Sequence, residues 1–429
     1  MKEKIAKIKS LIKKDGVFNT TKKVCKYFIS EYGTKVNIFS IVYYKLNKKK
    51  FEDKFEEILQ GEYDRIIIWK SDFGWNVPLF QRPQHIAKNL SDENCLVFYE
   101  VTTMTDKVKD LKKIKDNLYL VNLKNSVIKN ILFSKVEKKL NKNKYIQFYS
   151  TDYKIALEEV KTYIKQGFKI IYEYIDDLSP QILGTDEIPR NTIEKYNYML
   201  KDTKNIFVIV TADKLENDIV EKRGTEKLAF SSNGVDYEHF QDIDLSYKFE
   251  EDFENILKQN KPIIGYYGAL ASWVDYDLIK YLAENRPNYN IVFFGVKYDG
   301  EYDKSGVDSL KNVYFLGKRE YKVLKNYASR FSVCTIPFKV NNITKSTSPV
   351  KLFEYMAIQK PIVTTEMDEC KKYKSVMIAK NKEEFVKLVD KAIGLSDNVE
   401  YKKELKKEAC ENTWSQKAKI IVELLKKYE

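Results

Sequence analysis

Ser346-Thr347-Ser348-Pro349-Val350-Lys351-Leu352-Phe353-Glu354-Tyr355-Met356-Ala357 lies between two short β-type runs, 333–336 and 362–364. Ser348 has a side chain suited to capping a helix, and Pro349 sits where proline is tolerated, at the first helical position. A helix is therefore expected to start here. Its unpaired NH groups and positive dipole end attract an anion, and Lys351 adds a full charge, a combination suited to a diphosphate. Glu354 follows Lys351 by three residues and shares its face one turn on. A carboxylate there can accept both hydroxyls of a ribose while the lysine holds the adjoining phosphates. The plainer alternative is a surface pair worth a few tenths of a kcal/mol.

The strand, helix, strand order continues outward in both directions. Toward the N-terminus, β-rich runs fall at 66–69, 96–99, 118–123, 146–149, 170–175, 207–210 and 228–230, separated by lysine- and glutamate-rich helical stretches. After Asn233-Gly234, a turn-forming pair, a charged stretch runs to Pro262 and the pattern restarts at 263–267, 291–294, 313–316, 333–336, 362–364 and 376–378. Such alternation implies parallel sheets covered on both faces. The expected architecture is α/β: two Rossmann-like, doubly wound domains behind a basic helical N-terminal extension. The expected boundaries are 1–60 for the extension, 61–245 for the N-terminal domain, 246–405 for the C-terminal domain and 406–429 for a helix crossing back to the first domain. Neither domain carries GxGxxG, the closest approach being Gly265-Tyr266-Tyr267-Gly268, which disfavours a dinucleotide oxidoreductase.

Composition supports substantial cores, with 43% apolar and 14% aromatic residues over 429 positions. Five scattered cysteines and two histidines argue against a structural zinc site or a disulfide framework. No stretch approaches the length of a membrane span, and the chain is expected in the cytoplasm. The net charge of +13 is concentrated at one end: residues 1–50 hold fourteen lysines against Glu3, Asp15 and Glu31, a net +11. A near-neutral body with a basic end reads as a docking element, so nucleic acid is not an expected partner. Ile5, Ile8, Leu11 and Ile12 share a helical face ringed by lysines. Two readings stand side by side: peripheral attachment to anionic lipid on the inner membrane face, or a helix packed on the N-terminal domain.

Residues 349–365, with Phe80-Gln81-Arg82-Pro83-Gln84-His85, Ser232-Asn233-Gly234-Val235-Asp236 and Ile264-Gly265-Tyr266-Tyr267-Gly268-Ala269-Leu270, resemble the GT-B glycosyltransferases. The likeness is strongest to family 4 and its teichuronic-acid and capsule-type relatives, and spans roughly residues 65–415. The resemblance implies a metal-independent transferase without a cofactor, taking a nucleoside-diphosphate sugar, with UDP favoured. The acceptor would be a glycan, a lipid-linked sugar or a protein in bacterial surface biosynthesis. Donor-binding residues would be Lys351, Glu354, Ser348, Pro349, Val350 and Gly268. Two departures stand out: Ser346 occupies the position of a family glutamate, and Gly268 is followed by Ala269-Leu270-Ala271-Ser272-Trp273 instead of basic residues.

Asp176 and Asp177 end a β-type run, and a carboxylate there can take the acceptor's proton as the new bond forms. Asp177 is the first choice and Asp176 the second, against the alternative that the pair caps a helix or solvates a turn. Gly74, Arg82 and His85 are candidates for the acceptor or sugar side. Asp275-Tyr276-Asp277 looks like a DxD metal motif but precedes helical spacing at Leu278, Ile279 and Leu282, so it is expected to start a helix and no metal is expected. Rival readings are a sugar-nucleotide epimerase on the same two domains and a non-catalytic glycan- or sugar-nucleotide-binding partner of another transferase.

Overall fold

The computed structural model describes residues 43–77, 80–102, 106–183 and 185–429. The described strands form two sheets. The first comprises β1 Arg65–Trp69, β2 Cys95–Glu100, β3 Leu111–Lys115, β4 Leu118–Val121, β5 Asn143–Tyr149, β6 Lys169–Tyr174, β7 Ile206–Val210 and β8 Leu228–Phe230, in the order β3-β4-β2-β1-β5-β6-β7-β8. The second comprises β9 Ile263–Tyr267, β10 Asn290–Phe294, β11 Val313–Phe315, β12 Val333–Ile336, β13 Ile362–Thr365 and β14 Val376–Ala379, in the order β11-β10-β9-β12-β13-β14. The order reverses between β1 and β5 and between β9 and β12. In open α/β sheets ligands bind beyond the carboxyl ends of the strands at such reversals.

Central strands are continuous apolar runs because both of their faces are covered. All of β1, from Arg65 to Trp69, is buried, and it pairs in parallel with β2 and β5, Ile67 facing Val97 and Tyr145. In the second sheet β9 pairs in parallel with β10 and β12, Gly265 facing Val292 and Cys334.

One strand escapes sequence reading. Leu-Lys-Lys-Ile-Lys in β3 pairs antiparallel to β4 with a register shift between Lys113 and Lys115, which makes the first sheet mixed. It is an edge strand with Lys112 and Lys113 exposed, and lysines on an edge discourage pairing with other chains. Charge there replaces the apolar signal by which the other strands are found.

The structure separates into two compact units. One takes in the described residues up to Tyr172, with Lys204–Phe207 and Glu429; the other takes in Glu173–Thr203 and Val208–Tyr428. In the first unit, the helix Lys48–Leu59 buries Phe51, Phe55 and Leu59 and packs against the helix Ser126–Glu137. Glu56 accepts from Lys135 at 2.9 Å and from Lys139 at 3.1 Å. The Tyr44 hydroxyl reaches Asp110 at 3.0 Å. Residues 44–59 of the basic extension are therefore part of this unit's packing, and 1–42 lie outside the described residues. At the start of β1, Arg65 Nε donates to Glu429 Oε1 at 2.6 Å, and the Tyr145 hydroxyl donates to the same oxygen at 2.9 Å. In the second unit, the helix Trp414–Lys426 packs on β8, where the Ser231 hydroxyl donates to Lys417 O at 3.2 Å. Among the described residues no helix is long and apolar enough to cross a membrane.

Candidate active site

The helix Val350–Ala357 follows β12, one of the two strands at the second sheet's order reversal. Its start lies one residue later than the sequence reading places it. Pro349, extended at ψ 116°, holds the cap position, and the Ser348 hydroxyl does not cap the helix. That hydroxyl instead accepts from Asn233 N at 3.3 Å, and Asn233 Nδ2 donates to Ser348 O at 2.7 Å. The Asn-Gly turn after β8 therefore takes up Ser348 in place of the helix's first NH groups.

The preceding loop is tied to itself. Asn341 Oδ1 accepts from Ile343 N at 2.9 Å and Thr344 N at 3.1 Å, and the Ser346 hydroxyl donates to Ile343 O at 2.8 Å. Ser346 is fully buried, so the position where the resemblance expects a glutamate carries a short side chain serving the loop.

Lys351, the second residue of the helix, is half-buried and has no hydrogen bond or ion pair among the described residues. Its ammonium lies 5.4 Å from the centre of the Tyr266 ring and 5.2 Å from that of Phe338, both electron-rich faces. Burial holds its pKa below the usual lysine value, while Glu354 pulls it back up. Gly268, at the end of β9, has φ +147°, and a Cβ there would sit 2.9 Å from Tyr266 Oη and 3.0 Å from Lys351 Cε. Gly295, at the end of β10, has φ +148° and would place a Cβ 1.8 Å from Gly268 O. Two strand ends thus crowd together where the lysine stem passes, and only glycine fits.

Glu354 is 6% exposed and accepts from the Tyr267 hydroxyl at 2.7 Å. Burial pushes its pKa up to about 7, with the Tyr267 hydrogen bond and the Lys351 charge opposing the rise. Tyr266, Tyr267, Phe338 and Gly295 were missed by sequence reasoning. The signal available was Tyr266-Tyr267-Gly268 itself: two rings with polar tips at a strand end directly before a required glycine.

The acidic pair follows β6. Asp177 is engaged: Lys214 Nζ donates to its Oδ2 at 2.6 Å and to Asn342 O at 3.1 Å. Asp176 is half-buried and has no hydrogen bond or ion pair among the described residues. Burial, and then the Asp177 charge, push its pKa up to about 7. Such a group is suited to accept a proton at neutral pH, while one oxygen of Asp177, the residue preferred from sequence, is taken up by Lys214.

In the first unit, Gly74, Arg82 and His85 are brought together by Gln84. Gln81 caps the helix Arg82–Asp92 in a reciprocal box with Gln84, whose Nε2 also donates to Gly74 O at 2.9 Å. The Arg82 and His85 side chains are both buried in the first turn of that helix, His85 edge-on to Phe80. Asp275 caps the helix Tyr276–Asn285, accepting from Leu278 N at 2.9 Å, as its position before the apolar spacing predicts.

Residues 261–398 match the family model for glycosyl transferases group 1. A Bacillus subtilis (strain 168) protein named a teichuronic acid biosynthesis glycosyltransferase, TuaH, is 22% identical over 262 residues, 58% of this chain and 64% of that protein. The chain thus spans a little under two thirds of the curated relative it matches. Sucrose-phosphate synthase from Thermosynechococcus elongatus superposes with a TM-score of 0.60 at 11% identity, covering 85% of this chain and 98% of that one. Anabaena HepE in complex with UDP and glucose superposes with a TM-score of 0.57 at 12% identity, covering 85% of this chain and 100% of that one.

The chain has the GT-B fold, and residues 261–398 of it are similar to glycosyl transferases group 1.

In this GT-B protein the matched stretch runs from just before β9 to just before the helix Val399–Glu411, and so contains Gly268, Gly295, Ser348, Lys351 and Glu354. Asp176, Asp177 and Lys214 lie outside it.

Proposed function

We propose that this GT-B protein transfers a sugar from a nucleoside-diphosphate sugar to an acceptor hydroxyl. The observation that carries the reading is Lys351: a cation at a helix start with no ion pair among the described residues, walled by Tyr266, Phe338 and Gly268. Such an ammonium, beside free helical NH groups, is matched by a diphosphate. Glu354, one turn further on, takes the ribose hydroxyls. A UDP-sugar is the favoured donor because the superposed HepE binds UDP-glucose.

The bond from the anomeric carbon to the donor phosphate oxygen breaks as a bond to the acceptor oxygen forms. The nucleoside diphosphate leaves with the electron pair, and its charge is met by Lys351 and the helix start. The acceptor's proton passes to Asp176. Residues 246–405 serve the donor and 61–245 the acceptor, the latter through the loop 71–75 with Arg82 and His85 in the adjoining helix turn. The similarity to TuaH supports a surface-polysaccharide acceptor. Because the helix end and Lys351 supply the positive charge, no metal is needed, and transfer is expected to continue in EDTA.

Thermal-shift titration with UDP-, GDP-, TDP- and CDP-sugars tests the donor assignment. Stabilisation by one of these classes, lost in Lys351→Ala, supports it. Equal binding by parent and variant would remove the donor site from this helix.

A further inference from the structure

Two carboxylates side by side at the end of β6 differ in one respect, and the difference comes from another helix. The helix Asp213–Arg223 begins after β7, and its first two residues make contacts in three directions. Asp213 N donates to Glu369 Oε1 at 2.8 Å. Lys372 pairs with the Asp213 carboxylate and donates to Glu369 Oε2 at 2.8 Å. These anchors fix the helix start against the turn after β13, where Glu369 is buried. From that fixed start Lys214 reaches both Asp177 Oδ2 and Asn342 O. Asn342 belongs to the self-bonded loop leading through Ser346 to the helix Val350–Ala357.

We propose that Lys214 is a positioning residue for the transfer: it clamps Asp177 and the loop before the donor-binding helix together, and so leaves Asp176 as the carboxylate open to an acceptor hydroxyl. The inference rests on the functional reading above and names the residue that sets its geometry. The charged group acting on Asp176 is Asp177, and the group facing Asp177 is Lys214. A lysine is suited to the task because one ammonium carries three donors, enough for a carboxylate and a carbonyl together. Its charge offsets that of Asp177, so the adjacent Asp176 can ionise near neutral pH without meeting an uncompensated neighbour. A neutral side chain at 214 would leave the two carboxylates to repel each other.

The test follows the Asp176 carboxyl by ¹³C NMR across pH, its signal assigned by disappearance in Asp176→Asn. Lys214→Gln removes the charge but keeps donors for Asp177 and Asn342; Lys214→Arg keeps both charge and donors. The Asp176 midpoint is expected to rise by about one pH unit in Lys214→Gln and to return toward the parent value in Lys214→Arg. An unmoved midpoint in Lys214→Gln would overturn the proposal, whatever happens to the melting temperature. UDP release from UDP-glucose, with water as acceptor, separates this from the functional reading. If Asp176→Asn releases UDP as fast as the parent, Asp176 takes no part in the reaction and the positioning role falls with it, even where the midpoint moves. A fall of tenfold or more in Asp176→Asn, with a smaller fall in Lys214→Gln that Lys214→Arg restores, supports both.

Discussion

The Tyr267 hydroxyl donates across 2.7 Å to Glu354 Oε2, so the end of a strand holds a carboxyl of the neighbouring helix that burial has brought to a pKa of about 7. The sign follows directly. A carboxyl whose folded value exceeds its unfolded one contributes stability that is present below about 4.5 and lost as pH rises through about 7. Tyr267→Phe removes the hydrogen bond that favours ionisation and is expected to push the Glu354 midpoint higher still. Melting temperature against pH, compared between Tyr267→Phe and parent, checks the direction.

Donor binding has the opposite sign at the same residue. Ribose hydroxyls bind best to the charged form, so affinity for UDP-glucose is expected to fall roughly threefold to tenfold between pH 8 and pH 6. Glu354→Gln should bind more weakly throughout and show little of this slope. Calorimetry at three pH values decides it, and a flat parent profile would remove Glu354 from the nucleoside site.

Lys351→Ala is expected to weaken nucleoside-diphosphate-sugar binding at least tenfold, about 1.4 kcal/mol. Gly268→Ala should do the same by another route, because the new methyl at φ +147° meets the Lys351 stem. Its backbone strain adds about 1–3 kcal/mol of instability. Calorimetry and denaturant melts separate the two effects: the lysine variant keeps its stability and the glycine variant does not.

Asp176→Asn is expected to lower turnover by about a hundredfold or more while leaving donor affinity within twofold of the parent, since a proton acceptor contributes to the chemical step. Turnover assays paired with UDP-glucose binding test the split. Loss of both together would assign Asp176 to the fold of the loop.

Removing residues 1–42 is expected to leave the melting transition in place while abolishing salt-sensitive binding to anionic liposomes. Phe55→Ala, in the helix that does pack, should cost about 3–5 kcal/mol. Liposome sedimentation at two salt concentrations, beside thermal melts, provides the comparison. Unchanged liposome binding after truncation would end the membrane reading.

The two-sheet plan was legible because central parallel strands must be apolar throughout, as in Ile66-Ile67-Ile68-Trp69 and Ile291-Val292-Phe293-Phe294. The edge strand at 111–115 was not, because an edge is protected by charge and its lysines look like any solvated stretch. The helix that carries Lys351 and Glu354 on successive turns was legible from local spacing, since a helix start is a local feature. The pairing of Ser348 with Asn233 was not, being a contact over 115 positions that no local capping rule weighs. The same applies to Asp176 and Asp177: adjacent and chemically alike in sequence, they are told apart by Lys214, 37 residues later.

Arg65 begins β1, yet the carboxylate that satisfies its buried guanidinium stands 364 positions further on, at Glu429. During synthesis the first unit is therefore made with a cation at its base that only the adjoining Asp64 faces, at 3.6 Å, until position 429 emerges. Loop closure over such a span is entropically late, and contacts of this separation slow folding. This corner of the first unit is completed only when Glu429 arrives against β1 and β5. A ribosome stalled before residue 429 would hold a first unit whose opening strand still lacks this distant counter-charge.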